Sequence, residues 1–508
     1  MKPIRTAAWL LAASMAASAL ADFSGPAPLA WRWIQPTAVV PGGSLAATGE
    51  LIYAAVGNRM YAIERDSGNQ RWRYPSGEPV AGNFRSGLLL AGDLVVGIAD
   101  NKTMYAVEAS SGNLKWTYNL EENLVGTPVI AGPYVVFAAG GALNAVKLSD
   151  GQSAWQSPQR IFDGIQGGLS AYLDNVLFFT GLGELWSLNI GSQNLNWKRR
   201  FSRVEGNVRP VVFGDSIFIN TGTFVVSLRA LNGQPRFEMD TRMNLTRNPA
   251  VNENGFAVMS LEGQVMTYDL NGRKTMDKPV ELEAAPANDP VLVNKMLAVG
   301  TTNGAVNLVD PASGKLVWSY TIPLVTRAKT TGEANSPYFI QPATAPLVSG
   351  TSMIIAARDG SILSFDAVNG VDATPPEVTQ VFPVPGEVGA GRPPMEVYFT
   401  IRDEATGVNP SSIKVTVGGR ELKHRYTRDG FIIIAFEQGA GATGNAPLGD
   451  GRQVLKVTAS DWLGNPVSKE FGIRIDSSAA PFGRPRRPEG SGTAGGAGGP
   501  GSGGREGG

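Results

Sequence analysis

The chain has 508 residues, 44 basic and 44 acidic, with 43% hydrophobic and 17% charged side chains. That balance creates no global field for nucleic acid or an anionic membrane, so neither is expected as a partner. Cysteine is absent, which excludes disulfides, thiolate metal sites and a cysteine nucleophile.

Residues 1–21, "MKPIRTAAWLLAASMAASALA", place Lys2 and Arg5 before an apolar run, then small residues with Ala19 and Ala21 bracketing Leu20. This reads as a secretory signal peptide cut after Ala21. The run is shorter than the roughly 20 apolar residues of a spanning helix, and no other stretch approaches that length. A lipid anchor needs a cysteine at the cleavage site. The expectation is export to the periplasm or the extracellular space, with no membrane span and no lipid anchor.

From residue 22 the chain repeats itself. "YAIERDSGNQRW" at 61–72 returns 44 residues later as "YAVEASSGNLKW" at 105–116. Further copies end at Trp155, Trp197, Phe237 and Trp318; a weaker one ends at Met276, and an eighth, "LSFDAVNG", stops at Gly370. Each follows a β-branched or aromatic run such as "LIYAAV" or "YVVFAA", and before that another short run such as "TPVIAG". A unit of about 40 residues with three or four short strands and a Ser-Gly or Asn-Gly hairpin is a propeller blade. The aromatic residue four positions after the turn glycine is expected to fill the gap between neighbouring blades.

After Gly370 come Thr374, Pro375 and Pro376, and two prolines cannot continue a paired strand. The eighth blade therefore lacks an outer strand. "WRW" at 31–33 matches "WRY" at 72–74 and "WSY" at 318–320, so the opening stretch is expected to supply it, with Trp31 at the place of Trp72. The expected fold is all-β: an eight-bladed β-propeller over 22–372, closed by its N-terminal strand.

The phrases resemble the repeat of the PQQ-like propellers: alanine, then an acid, then glycine and a terminal tryptophan. Ala62, Glu64, Gly68 and Trp72 match it, as do Ala106, Glu108, Gly112 and Trp116. Lys147, Asn189 and Arg229 depart from it at the acidic position. That resemblance implies one of two functions. Quinoprotein dehydrogenases hold pyrroloquinoline quinone and calcium in the central channel; a non-enzymatic branch, the outer-membrane assembly propeller lipoproteins (BamB-like), binds protein partners. Compact blades without long inserts, and the absence of an adjacent cysteine pair or haem motif, resemble the binding branch. Extra C-terminal sequence departs from it.

Residues 373–385 form a proline-rich boundary. Longer alternating strands follow, about seven in a hundred residues, which reads as a β-sandwich over 373–476 resembling bacterial Ig-like modules. Asp403, Glu404, Asp461 and Asn465 fall in its turns, where they either ligate calcium or shape the bends. His424, the single histidine, has no partner spacing for a metal site or triad. Residues 477–508, rich in Gly, Pro and Arg, lack apolar side chains to bury and are expected to be disordered.

No phosphate-cradling loop, zinc spacing or nucleophile elbow is present. The expected function is a non-catalytic, monomeric scaffold for a protein or extracellular polymer partner, with no cofactor. The alternatives are a pyrroloquinoline-quinone-dependent dehydrogenase and a cell-surface adhesion component acting through the Ig-like module. The gap after Trp318 is 35 residues to Met353, against 18–22 elsewhere. The excess, 324–341, carries Arg327, Lys329, Tyr338 and Phe339, residue types favoured in recognition, and is the candidate partner-binding loop.

Overall fold

The computed structural model describes residues 30–36 as a backbone strand, and 39–202, 204, 208–293, 295–322, 340–366, 374–389, 395–403, 406–427, 430–437 and 444–479. The signal peptide, the side chains of Trp31 and Trp33, Gly370, Glu404 and the end of the tail lie outside the described residues.

Up to Asp366 the strands form eight four-stranded antiparallel sheets, numbered here 1–8 in chain order. Sheet 1 runs outward through Ala46–Ala47, Leu51–Val56, Arg59–Glu64 and Gln70–Tyr74. The second and third strands are the buried ones, as their apolar sequences require: Leu94–Ala99 of sheet 2 is buried throughout. The innermost strand of sheet 1 touches those of both sheet 2 and sheet 8, so the sheets close into a ring.

One interaction recurs from sheet to sheet. The terminal tryptophan of the phrase lies opposite a small residue of the third strand: Trp72 opposite Ala62, Trp116 opposite Ala106, Trp197 opposite Ser187. Its indole N–H donates to the carbonyl just after the third strand of the next sheet, Trp72 to Ala109 at 2.8 Å, Trp116 to Leu148 at 2.8 Å, Trp155 to Ile190 at 2.7 Å and Trp197 to Ala230 at 3.1 Å. The turn glycine of that next sheet lies beneath the ring. A Cβ on Gly112, Gly151 or Gly233 would stand 2.5–2.7 Å from the indole of the preceding sheet, and all three have φ near +70°. Glycine thus serves both the left-handed turn and the close approach. The acid of the phrase fixes the same turn: Ser67 donates to Glu64 at 2.8 Å and Ser111 to Glu108 at 2.6 Å.

The outer strand of sheet 8 is Ala30–Pro36, antiparallel to Ser361–Asp366. Closure by the N-terminal strand is therefore as the prolines implied, but its register is two residues along. Trp33 faces Ser364, the position that Trp72 holds against Ala62, while Trp31 faces Phe365 beyond a bulge. The outer strands of sheets 1, 2, 4, 5 and 7 carry the same bulge.

Beyond the ring, Glu377–Phe382, Met395–Arg402, Phe431–Phe436 and Arg425–Tyr426 form one sheet. A five-stranded sheet faces it, with Gly451–Ser460 and Pro466–Ile475 as its long hairpin. Val397, Phe399, Ile432, Ile434, Val457 and Ile473 share the core between them, making a sandwich. The one helical turn among the described residues is Pro410–Ser412.

If the N-terminal strand closes the ring, deleting residues 22–36 strips the backbone partner of Ser361–Asp366 and lowers the melting temperature of the whole propeller by roughly 10 °C. Differential scanning calorimetry checks this. An unchanged midpoint contradicts the closure.

Candidate interaction face of the ring

In each sheet the turns between second and third strands, and the connections to the next inner strand, lie at one end of the ring. The Ser-Gly hairpins lie at the other. We call the first the mouth end.

Arg327, Lys329, Tyr338 and Phe339 fall between Ile322 and Ile340, outside the described residues. The roots of that segment are described. Ile322 and Ile340 are buried in one cluster with Trp318 and Phe365, and the Ile340 N–H donates to the Ile322 carbonyl at 3.0 Å. Ile322 and Ile340 thus meet in a closed base at the mouth end.

Beside it a polar chain links the connections of sheets 5 to 8. The Arg209 N–H donates to Asn248 Oδ1 at 3.0 Å, and Asn248 donates through its backbone and side chain to Asp289 at 3.2 and 2.9 Å. Arg247 reaches the carbonyls of Pro286 and Ala287 at 3.1 and 2.8 Å, and Asn288 that of Pro342 at 3.1 Å. These bonds run across sheet boundaries, so they fix the mouth as a single surface.

Acids at this end are held by neighbouring donors. Asp100 lies below the usual carboxylate range because the Asn83 N–H donates to it at 2.8 Å, with the Arg85 guanidinium at 3.0 Å adding to the effect. Glu184 is lowered by the Trp186 indole N–H and then by Lys198, and Asp240 by the Arg242 N–H. Their role is to pin turns. Asp403 and Asp461 of the sandwich do likewise: Asp403 Oδ1 accepts from the Thr406 and Gly407 N–H groups, and Asp461 from Asn465. Among the described residues no three His, Asp or Glu side chains are grouped to hold a metal ion, and no helix is long and apolar enough to cross a membrane.

Four exposed apolar side chains occupy the mouth end of neighbouring sheets. Phe162, in the connection into sheet 4, is fully exposed; Leu182, Phe224 and Leu261 follow in sheets 4, 5 and 6. The sequence reading missed them. The signal was available: in the second-to-third turns, Leu182 takes the place of Asn303 and Asp359, and Leu261 that of Thr302 and Arg358. Exposed apolar residues mark contact surfaces where they join into a contiguous patch.

Two overlapping stretches of the chain, residues 27–224 and 183–379, match the family profile described as outer membrane protein assembly factor BamB. The chain belongs to the BamB family. It is 25% identical over 127 residues to the outer membrane protein assembly factor BamB of Legionella pneumophila (strain Paris), a match covering 25% of this chain and about a third, 32%, of that protein. The crystal structure of BamB from Moraxella catarrhalis superposes on 66% of this chain and 99% of its own, with a TM-score of 0.50 at 17% identity. A computationally designed protein, Ika8, covers 67% of this chain and 100% of its own, with a TM-score of 0.52 at 13% identity. At these identities the likeness is one of fold, and the fold of this BamB-family ring is a β-propeller.

The pinned acids give the BamB-family ring a pH signature. A carboxyl lowered by folding adds stability above its ordinary pKa and loses it as pH falls through the lowered value. Asp100→Asn should therefore lower the melting temperature by about 1–2 °C at pH 7, and the gap to the parent should narrow as the pH falls below the usual carboxylate range. A gap constant with pH contradicts this assignment.

Proposed function

We propose that this BamB-family chain is a non-catalytic, periplasmic scaffold whose propeller receives a protein partner at the mouth end, in the assembly of outer-membrane proteins. The observation that carries the reading is the twofold match of the assembly-factor profile along the ring. The rigid mouth with Phe162, Leu182, Phe224 and Leu261 gives that reading a surface. Desolvating such side chains against a partner yields about 25 cal/mol per Å² of apolar area, and the polar chain beside them stays fixed, which limits the ordering cost of association.

In this reading the signal peptide, 1–21, directs export, and the protein works as a monomer without pyrroloquinoline quinone or calcium. Residues 373–476 are an Ig-like module appended to the propeller, followed by a tail, 477–508, rich in Gly, Pro and Arg. Arg327, Lys329, Tyr338 and Phe339 are a second element of the partner site.

The test is genetic and biophysical. A strain lacking the chain should show a reduced level of folded outer-membrane β-barrels, restored by the parent gene. Phe162→Ser, Leu182→Ser and Leu261→Ser combined, or a short Gly-Ser linker in place of 325–339, should keep the melting temperature within a few degrees yet restore assembly incompletely. Unaltered assembly in the deletion strain would overturn the function. Full restoration by both folded variants would overturn the site.

A further inference from the structure

Sheet 7 departs from the tryptophan pattern. Trp318 faces Leu308 in the register that Trp72 holds against Ala62. Its indole N–H donates at 3.2 Å to the carbonyl of Thr406, 88 residues on and in the sandwich. The sandwich answers in kind, with the Trp462 indole N–H donating to the Ser319 carbonyl at 3.1 Å. Gly407, at φ +81°, rests on the strand between them: a Cβ there would lie 3.3 Å from Tyr320 Cδ2 and 3.4 Å from the Ser319 carbonyl oxygen. Thr406 and Gly407 thus offer sheet 7 the acceptor carbonyl and the close-packed glycine that the next sheet offers elsewhere.

Both halves of the contact are built for it. The outer strand Lys315–Thr321 reads "KLVWSYT", with no charge after Lys315, as in Leu114–Asn119, "LKWTYN", and unlike Leu195–Arg200, "LNWKRR", and Pro235–Asp240, "PRFEMD". Trp318 is 0% exposed, against 7–8% for Trp72, Trp116 and Trp155. Tyr320 stacks on it at 6.0 Å, and Phe365 of sheet 8 closes the group at 5.4 Å. On the other side the loop is pre-shaped. Asp403 Oδ1 accepts from the Thr406 and Gly407 N–H groups at 3.0 and 2.8 Å, and fully buried Asp461 holds the turn that carries Trp462 through two bonds from Asn465.

We propose that Asp403, Thr406 and Gly407, with the turn 461–465, form an interdomain clasp on the outer strand of sheet 7, through which the sandwich, beside sheet 8, supplies Trp318 with its acceptor carbonyl and its close-packed glycine. Ring and sandwich then fold and move as one body, and a partner meets both at a fixed spacing. The clasp does not depend on which partner the ring binds.

Two alanine variants of the full chain separate docking from backbone strain. Gly407 and Gly419 have φ of +81° and +80°, but a Cβ on Gly419 meets nothing within 4 Å. Gly407→Ala should lower the melting temperature by at least 5 °C more than Gly419→Ala, split the single calorimetric transition in two, and raise the radius of gyration in small-angle scattering. Trp462→Phe, which keeps the ring and removes the donor, should act in the same direction to a smaller extent and covers the case in which Gly407→Ala fails to fold. Equal shifts for the two glycine variants with superimposable scattering, or a Trp462→Phe protein identical to the parent in both measurements, would overturn the clasp.

Discussion

The structure rests on an indole ring laid across a sheet boundary. It lies over a small side chain of its own sheet, against a glycine of the next, and its N–H ends on that neighbour's backbone. Each of these three conditions constrains a different position of the repeat. Truncating the ring would cost on the order of 3–5 kcal/mol at each boundary that carries it, the buried N–H requires an acceptor, and the absence of a Cβ lets the turn come close. Sequence drift is tolerated elsewhere: Lys147, Asn189 and Arg229 replace the acid while the turn N–H to carbonyl bond persists at all three positions.

Because each sheet is completed by the next, an open array would end on an unsatisfied edge. The chain resolves this by bringing Ala30–Pro36 to Ser361–Asp366. The result is a ring whose hairpin end is occupied by the repeated turns and whose mouth end is left to vary in sequence. Exposed Phe162, Leu182, Phe224 and Leu261 sit on that freer end. A rigid scaffold carrying variable loops is the arrangement in which binding residues are ordinarily found.

Much of the fold was legible because the repeat phrase records its own packing rules. The prolines after Gly370 announced the missing outer strand, and "WRW" announced its replacement. Its register was not legible: the two tryptophans are two residues apart, and only the bulge opposite Ser364 and Phe365 decides which takes the place of Trp72. The mouth-end apolar residues were hidden because a single Leu in a turn has no periodicity to betray it. The sandwich contact was hidden for another reason. Trp462 sits in a polar turn that reads as a local feature, while its acceptor, Ser319, lies 143 residues away.

The central claim is that the indole contacts form a closed, mutually dependent set. Hydrogen exchange of the tryptophan indole N–H groups measures this directly, since Trp72, Trp116, Trp155 and Trp197 report on different boundaries. In a closed ring they open together, so all four should exchange with one common opening free energy equal to that of global unfolding. A graded series, with protection falling from one end of the chain to the other, would be the mark of an open stack of repeats and would contradict the account.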